Sequence, residues 1–546
     1  MNRLTILGGV ILVLAGAVVV RLFFLQVSQA DEYGDTASRQ HRGGISSLPA
    51  RGDIFFADKE GTVVPAAVTK RTYILAGNPQ KMKDPAAAYE KVAGITDIEK
   101  EEFLARASTT GTTYTVFLKD VSKETAFELS ALQVPGLWIA QDEQRLYPEG
   151  LTASHALGFV GFMENMRLGR YGIEQQYEEQ LRGAVGSRGE EYNGRDVVLT
   201  IDPHIQSITH SAVNDLMSQW SAVSAGIVVI QPKTGAILAM ESAPGFDPNS
   251  YNTISDYDLF LNPFTQKVFE MGSIVKPLTM AAGLDAYAVS EDTTYYDKGF
   301  VHVGDAEIKN YDGKGRGLQT IYDILDQSLN TGAVFIMQQL GTRQFRDYME
   351  RFGLGSVTNI DLPQEVPGNI RNLETGGDVE YATASFGQGI AVTPIALVTA
   401  LSAVANGGEL VKPYLAKRLV DEDGKVFETA PVVRRRVLRP GTSEIVSRML
   451  SKVVDNTLAG GAVAMPGYHI AAKTGTAQIP NTDGAGYSDQ YLHTFFGYAP
   501  AFDPQFLILL YLEKPVGARY ASQTLAEPFR KLTEFIIHYY EIPPDR

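Results

Sequence analysis

At 546 residues the chain is too long for one compact core and is expected to fold as two or three domains. Its hydrophobic fraction of 44% and charged fraction of 20% are those of folded protein, so wholesale disorder is excluded. A formal net charge of -15 argues against a nucleic-acid partner, which requires clustered Lys and Arg. The one dense basic run, Arg434–Arg435–Arg436, is read as a solvated loop or strand edge. With no cysteine, disulfides, thiolate catalysis and cysteine-ligated metals are excluded. The eight histidines are scattered, His204 and His210 do not share a helical turn, and no metal site is expected.

From Leu4 to Val27 the residues are almost all apolar or small, broken near the end by Arg21. As a helix this stretch is about 36 Å long at about 1.5 Å per residue, enough to cross a hydrocarbon core of about 30 Å. It exceeds the apolar region of a cleavable signal, so a single-pass anchor is expected. Arg3 before it places residues 1–3 in the cytoplasm and the rest of the chain outside the membrane. Residues 28–195 mix charged and short apolar stretches without catalytic spacing and are expected to form an elongated, mixed domain.

A short strand at Asp196–Ile201 and an amphipathic helix at His204–Trp220 connect, over residues 196–221, to a second domain at 222–546. There Gly226–Ile230 and Ala236–Glu241 read as a hairpin around Pro232-Lys233-Thr234-Gly235. A mostly helical region is expected from about 273 to 460. Strand patterns return at His469–Gln478, His493–Ala499 and Phe506–Leu512, and apolar residues from Leu525 to Tyr539 recur at helical spacing. The fold class is α+β: one five-stranded antiparallel sheet, with flanking helices and a helical insertion separating its first two strands from its last three.

Three short motifs carry chemistry. Ser273 and Lys276 stand three residues apart at the start of a helix expected to run to Tyr287, so they share a face. That is the pattern of a serine nucleophile with a lysine base. Freeing a lysine of its proton near pH 7 costs about 4.6 kcal/mol, to be supplied by burial and a second cation. This is the only S-x-x-K in the chain. Ser328-Leu329-Asn330 sets a hydroxyl and an amide two residues apart, suited to relaying a proton and holding a carbonyl. Lys473-Thr474-Gly475-Thr476 lies in a predicted strand whose alternation puts Thr474 and Thr476 on one face, where two hydroxyls can bind a carboxylate. Gly475 is expected to let a peptide approach the strand edge. The amides of Ser273 and Thr476 are candidate oxyanion donors. Alternation sends Lys473 to the opposite face, so its side chain must pass beneath the edge to reach the serines. A second K-T-G, Lys233-Thr234-Gly235, is explained by the turn alone, and S-x-N recurs at Ser250–Asn252.

In this order, on a split sheet, the three motifs resemble those of the serine penicillin-recognising enzymes. Arg51-Gly52-Asp53-Ile54 with Asp58 and Gly61 is similar to R-G-x-I-x-D-x-x-G, and Gly169 to Glu174 to a G-x-x-G-x-E motif, both of the class B penicillin-binding proteins. Arg21–Gln26 resembles that family's membrane-exit segment. Met271 stands where the family has Pro, and Ala472 where it has Gly, neighbours of the site without reactive groups.

The resemblance implies a peptidoglycan D,D-transpeptidase without cofactor, anchored in the cytoplasmic membrane. By this likeness Ser273 attacks a D-Ala–D-Ala carbonyl, Lys276 is the base, and Ser328, tuned by Lys473, passes the proton to the leaving amine. Asn330 orients Lys276 and substrate, and Thr474, Gly475 and Thr476 form the carboxylate subsite. Implied ligands and partners are stem peptides, β-lactam antibiotics, and a SEDS-family glycosyltransferase among other wall-synthesis membrane proteins. Arg351–Gly355 and the Ser328–Gly332 segment lean toward the septal branch over the elongation branch. The rivals are a β-lactamase or carboxypeptidase, and an inactive scaffold of the wall-building complex.

Overall fold

The computed structural model describes residues 49–163, 166–185, 191–481 and 486–546. The anchor expected at 4–27 lies outside these; among the described residues no helix is long and apolar enough to cross a membrane. Compactness divides the chain in two. Residues 70–144 form one described unit, and 49–69 with 145–546 the other.

Strand β1 (Ile54–Ala57) pairs antiparallel with the start of β2 (Val63–Gly77). The smaller unit contains the rest of β2, helices α1 (Pro85–Ala93) and α2 (Lys100–Ala107), strand β3 (Thr115–Val121), helix α3 (Lys123–Ala131) and most of β4 (Leu137–Leu146). Asp84 starts α1 by accepting from the Ala86 and Ala87 amides, as an aspartate at a helix entrance does. Its core is a separate apolar cluster around Phe103, Phe117 and Leu75.

In the larger unit β5 (Asp196–Leu199) runs parallel to β1. Asp202 then caps α4 (Pro203–Trp220), accepting from the His204 and Ile205 amides ahead of Pro203. The main sheet follows: β6 (Ser224–Ile230), β7 (Ile237–Ala243) and, much later, β13 (Ala471–Pro480), β14 (Tyr487–Ala499) and β15 (Phe506–Glu513). Their spatial order is β7–β6–β15–β14–β13, every pairing antiparallel, so the first two and last three strands meet at β6 and β15 as expected. The closing helix α11 (Ala521–Tyr539) packs its Phe529 ring on Phe495 of β14, centroids 4.6 Å apart.

The insertion is less helical than its sequence suggested. Between α5 (Lys276–Asp285) and the next helices stand four short strands, β8 (Thr294–Asp297), β9 (Phe300–Val303), β10 (Ala306–Lys309) and β11 (Gly317–Thr320), in two antiparallel pairs. Each is four residues long, too short for alternation to be distinguished from chance. Then come α6 (Ile321–Asp326), α7 (Asn330–Leu340), α8 (Asp378–Ala384) and α9 (Pro394–Ala405). Residues of α9 are buried along its whole length, and α5 is buried on all sides over Lys276–Leu284, the mark of helices at the centre of a domain. Strand β12 (Ala416–Val420) pairs antiparallel with β5, and α10 (Pro440–Asn456) precedes the last strands.

The basic run Arg434–Arg436 lies in a strand with exposed ends, Val433 and Arg436, and half-buried Arg434 and Arg435; Arg434 donates to the Val357 and Thr358 carbonyls and Arg435 to those of Glu350 and Arg351. Lys233-Thr234-Gly235 occupies the β6–β7 turn, with Lys233 paired to Asp503.

Candidate active site

A cavity of about 720 Å³ opens between the edge strand β13, the start of α5, and the α6–α7 turn. Ser273, Ser328, Asn330, Lys473, Thr474 and Thr476 all line it. Residues separated by up to 203 positions, from Ser273 to Thr476, are therefore brought to one cleft.

The nucleophile segment is not an α-helical turn. Gly272–Val275 form a 3-10 turn, and α5 begins only at Lys276 with Pro277 in its first turn. A 3-10 turn has about three residues, so side chains at i and i+3 eclipse rather than merely share a face. The Lys276 amide donates back to the Ser273 carbonyl, closing that turn. The segment is held from both sides: the Gly272 amide donates to the Gly387 carbonyl at 3.0 Å, and the Thr494 hydroxyl donates to the Met271 carbonyl at 2.9 Å. Gly387, at φ +81°, faces the Gly272 oxygen so closely that a Cβ would lie 2.2 Å from it.

Lys276 is 1% exposed. Its ammonium donates to the Ser328 carbonyl at 2.6 Å and to the Ser328 hydroxyl at 3.2 Å. Burial, and then the charge of Lys473, hold its pKa well below the ordinary lysine value. Among the described residues none hydrogen-bonds the Ser273 hydroxyl, which faces the cavity free of a fixed partner. Ser328 sits at φ +55°, a left-handed conformation that turns the chain between α6 and α7 and presents both its carbonyl and its hydroxyl to Lys276.

Asn330 is the first residue of α7, and its amide nitrogen donates to the Lys309 carbonyl at 2.9 Å. It was expected to orient Lys276; that contact belongs to Ser328 instead, and Asn330 ties the β9–β10 hairpin to the motif. A deeper set of bonds reinforces the tie. Asp297, 1% exposed, accepts from Thr331 Oγ1, Asn310 Nδ2 and the Gly299 and Arg316 amides. The β8–β11 segment is thereby locked to the start of α7.

On β13 the alternation reads as expected: Lys473, Gly475 and Ala477 are buried while Thr474, Thr476 and Gln478 are half-exposed toward the cleft. Lys473 is 2% exposed, yet its ammonium reaches the Thr474 carbonyl at 3.2 Å and the cavity wall. Burial depresses its pKa to about 8, against which the Asp326 charge acts. The Thr476 hydroxyl accepts from the Ala521 amide at 3.1 Å, which leaves its proton free to point outward as a donor. Gly475 also has a packing role: a Cβ there would meet Thr494 Oγ1 at 2.2 Å and the Met271 oxygen at 2.8 Å, so the missing side chain lets β13 press against the nucleophile segment.

The cleft also contains residues without a sequence signal. Asp326, two positions before Ser328, faces it, as do Phe386 and Gln388 from the loop after α8. Tyr311 and Tyr520 approach across its mouth, rings 6.1 Å apart and edge-on. Only Asp326 was within reach of motif reasoning, by adjacency; the others come from loops. Among the described residues no group of three or more His, Cys, Asp or Glu side chains is placed to hold a metal ion.

Split sheet, central buried helices and this cleft define the penicillin-recognising architecture. Comparison with known proteins agrees. Residues 225–534 match the penicillin-binding protein transpeptidase domain, and residues 46–207 the penicillin-binding protein dimerisation domain. Stage V sporulation protein D of Bacillus subtilis is 31% identical over 531 residues, covering 93% of this chain and 81% of the relative. A protein of Mesostigma viride named peptidoglycan D,D-transpeptidase FtsI homolog is 28% identical, covering 96% of this chain and 93% of its own. Penicillin-binding protein 2X of Streptococcus thermophilus superposes with a TM-score of 0.78 at 20% identity, over 90% of this chain and 80% of that one, a likeness of fold. The chain belongs to the class B penicillin-binding proteins, in which a dimerisation domain precedes a transpeptidase domain.

Proposed function

We propose that this protein is a peptidoglycan D,D-transpeptidase that works through an acyl-enzyme on Ser273. The observation that carries the reading is the burial of two lysines without an ion pair among the described residues: Lys473 lines the cavity that holds the free Ser273 hydroxyl, and Lys276 bonds Ser328 on the wall of that cavity. Burial and the neighbouring Lys473 charge make Lys276 give up a proton far more readily than an ordinary lysine, which suits it to take the Ser273 proton as the oxygen attacks. Ser328, bonded to Lys276 at 3.2 Å, passes the proton to the departing D-alanine nitrogen. Lys473 remains cationic and, with the outward hydroxyls of Thr474 and Thr476, suits the terminal carboxylate of a D-Ala–D-Ala stem peptide. The edge position of β13 leaves backbone donors facing the cleft, and the Thr476 and Ser273 amides are assigned to the developing oxyanion. Asn330 holds the hairpin and offers its amide oxygen to the substrate backbone. An amine of a second stem peptide then resolves the ester.

The same serine would be acylated by β-lactams, whose strained amide presents a carbonyl and a carboxylate in the same relation. Mass spectrometry after incubation with a penicillin tests this: the adduct maps to Ser273 and is absent from Ser273→Ala. An unlabelled but folded wild-type chain would instead favour the inactive scaffold.

The reading extends to residues 4–27 as a membrane anchor with the catalytic unit on the outer face, to septal synthesis, and to a SEDS-family glycosyltransferase partner. The apolar run and Arg3 support the first, and the septal-type Ser328–Gly332 and Arg351–Gly355 segments the second. The family resemblance supports the third. Fluorescent fusion of the full chain, followed through division, distinguishes a mid-cell band from lateral patches; lateral patches assign the elongation role.

A further inference from the structure

Five charged side chains line the cleft, and their signs are uneven. Lys309, Arg316, Lys473 and Arg519 are cations; Asp326 is the one carboxylate among the described lining residues. Lys309 and Arg316 are paired with Glu307 and Asp312 at 2.8 Å each. Asp326 ends α6, so the turn that fixes Ser328 also fixes it. The Thr457 hydroxyl donates to its Oδ1 at 3.0 Å, while Oδ2 has no hydrogen-bond partner among the described residues. Half-buried, it is an anchored carboxylate with one oxygen left for a ligand.

The donor peptide, ending in a carboxylate, suits the cations. The second half of the reaction has the opposite need, because the acceptor amine arrives at neutral pH as an ammonium. Lys473 and Arg519 repel it, and it cannot attack until it has lost a proton. We propose that Asp326 receives the acceptor ammonium, making it a specificity residue for amine over water. This rests on the Ser273 acyl-enzyme reading above. The amine nitrogen bonds to the acyl carbon and the bond from that carbon to the Ser273 oxygen breaks. Of the two protons the ammonium surrenders, one ends on the Ser273 oxygen and the other passes to solvent.

The test uses the full-length chain in detergent, a D-Ala–D-Ala peptide donor, and two acceptors: a stem-peptide amine, and hydroxylamine, which is uncharged at neutral pH. For Asp326→Asn the ratio of amide to hydrolysed product falls about tenfold or more with the ammonium acceptor. With hydroxylamine that ratio moves by less than about twofold. Asp326→Glu recovers the ammonium preference. Penicillin labelling of Ser273 in each variant reports an intact cleft, and Asp326→Ser replaces any variant that does not label. Ratios unchanged for both acceptors, or lowered equally, overturn the proposal while leaving Ser273 catalysis standing; failure of the wild type to label overturns the acyl-enzyme reading itself.

Discussion

Two groups of buried charge in the larger unit show how the same burial yields chemistry in one place and rigidity in another. Around Glu174, 0% exposed, Arg51 donates to one oxygen at 2.6 Å and Arg145 to the other at 2.7 Å. Glu178 takes the second arm of Arg51 at 2.7 Å, and the Tyr147 hydroxyl donates to Glu174 at 3.1 Å. Burial by itself would raise the Glu174 pKa; Arg145 and Arg51 overcome it and hold the carboxyl below its usual range. For Arg51 burial works downward, and Glu174 and Glu178 outweigh it so that its pKa is raised. Both directions mean the charged forms are favoured. In the cleft no carboxylate among the described residues forms an ion pair with either lysine, and the Asp326 charge does not offset the burial of Lys473, so both pKa values fall. Paired charge is locked; unpaired charge is available to exchange protons.

The largest expected effect separates these roles at Lys276. Lys276→Met keeps the shape and removes the base, so penicillin acylation of Ser273 falls by about 10²- to 10⁴-fold. Because the native side chain is a buried amine without a counter-charge among the described residues, the thermal midpoint of the variant is equal to or above that of the wild type. A variant that acylates normally breaks the comparison, for Lys276 would then be structural. The opposite pattern is expected at Glu174. Glu174→Ala strands two arginines and lowers stability by about 3–5 kcal/mol, read by chemical denaturation. The surviving folded fraction labels Ser273 at the wild-type rate.

The two groups also differ in how far the sequence disclosed them. Ser273, Lys276 and Lys473 announced themselves because their chemistry is local: a spacing of three, and a strand whose alternation decides which face each residue takes. What spacing could not disclose was the 3-10 character of Gly272–Val275, which depends on the anchoring of Gly272 and Met271 by Gly387 and Thr494. Nor could it give the partner of Lys276, which is Ser328 rather than Asn330 because of the φ +55° turn. Arg51 and Glu174 were visible only as family signatures. Their pairing spans 123 positions, and Arg145, the third member, lies in a strand with no motif at all. The α+β class and the split sheet were legible from hairpins and periodicity. The four short strands in the insertion were not, since their order comes from Asp297 and its partners rather than from pattern.

Gly475 gives a smaller effect that probes how the nucleophile is held. Gly475→Ala inserts a methyl between β13 and the Met271 carbonyl, at a site with no space for it. Overpacking of this kind costs about 1–3 kcal/mol, and here it displaces the 3-10 turn. The acylation rate of Ser273 therefore falls while the hydrogen bonds of the Arg51–Glu174 group, none of which involves β13, are untouched. Were acylation unaltered and only the melting temperature lowered, Gly475 would be a packing residue without influence on the nucleophile.

The smallest effect is in pH, and it sets stability against activity at one side chain. Lys473 has a folded pKa of about 8, below the ordinary lysine value of 10.5, because burial disfavours its charge. A lysine depressed in this way binds its proton less well folded than unfolded. Its stabilising contribution is complete above the unfolded value and is lost as pH falls toward about 8 and below. Over that window the thermal midpoint rises with pH, after the titration of other lysines is subtracted using Lys473→Met. Acylation requires the charged form beside the substrate carboxylate, so its rate halves near pH 8 and keeps falling above it. The two curves cross in opposite directions. Parallel curves would mean that the Lys473 charge serves the fold alone, and the cleft would then be no different in kind from the locked arginines around Glu174.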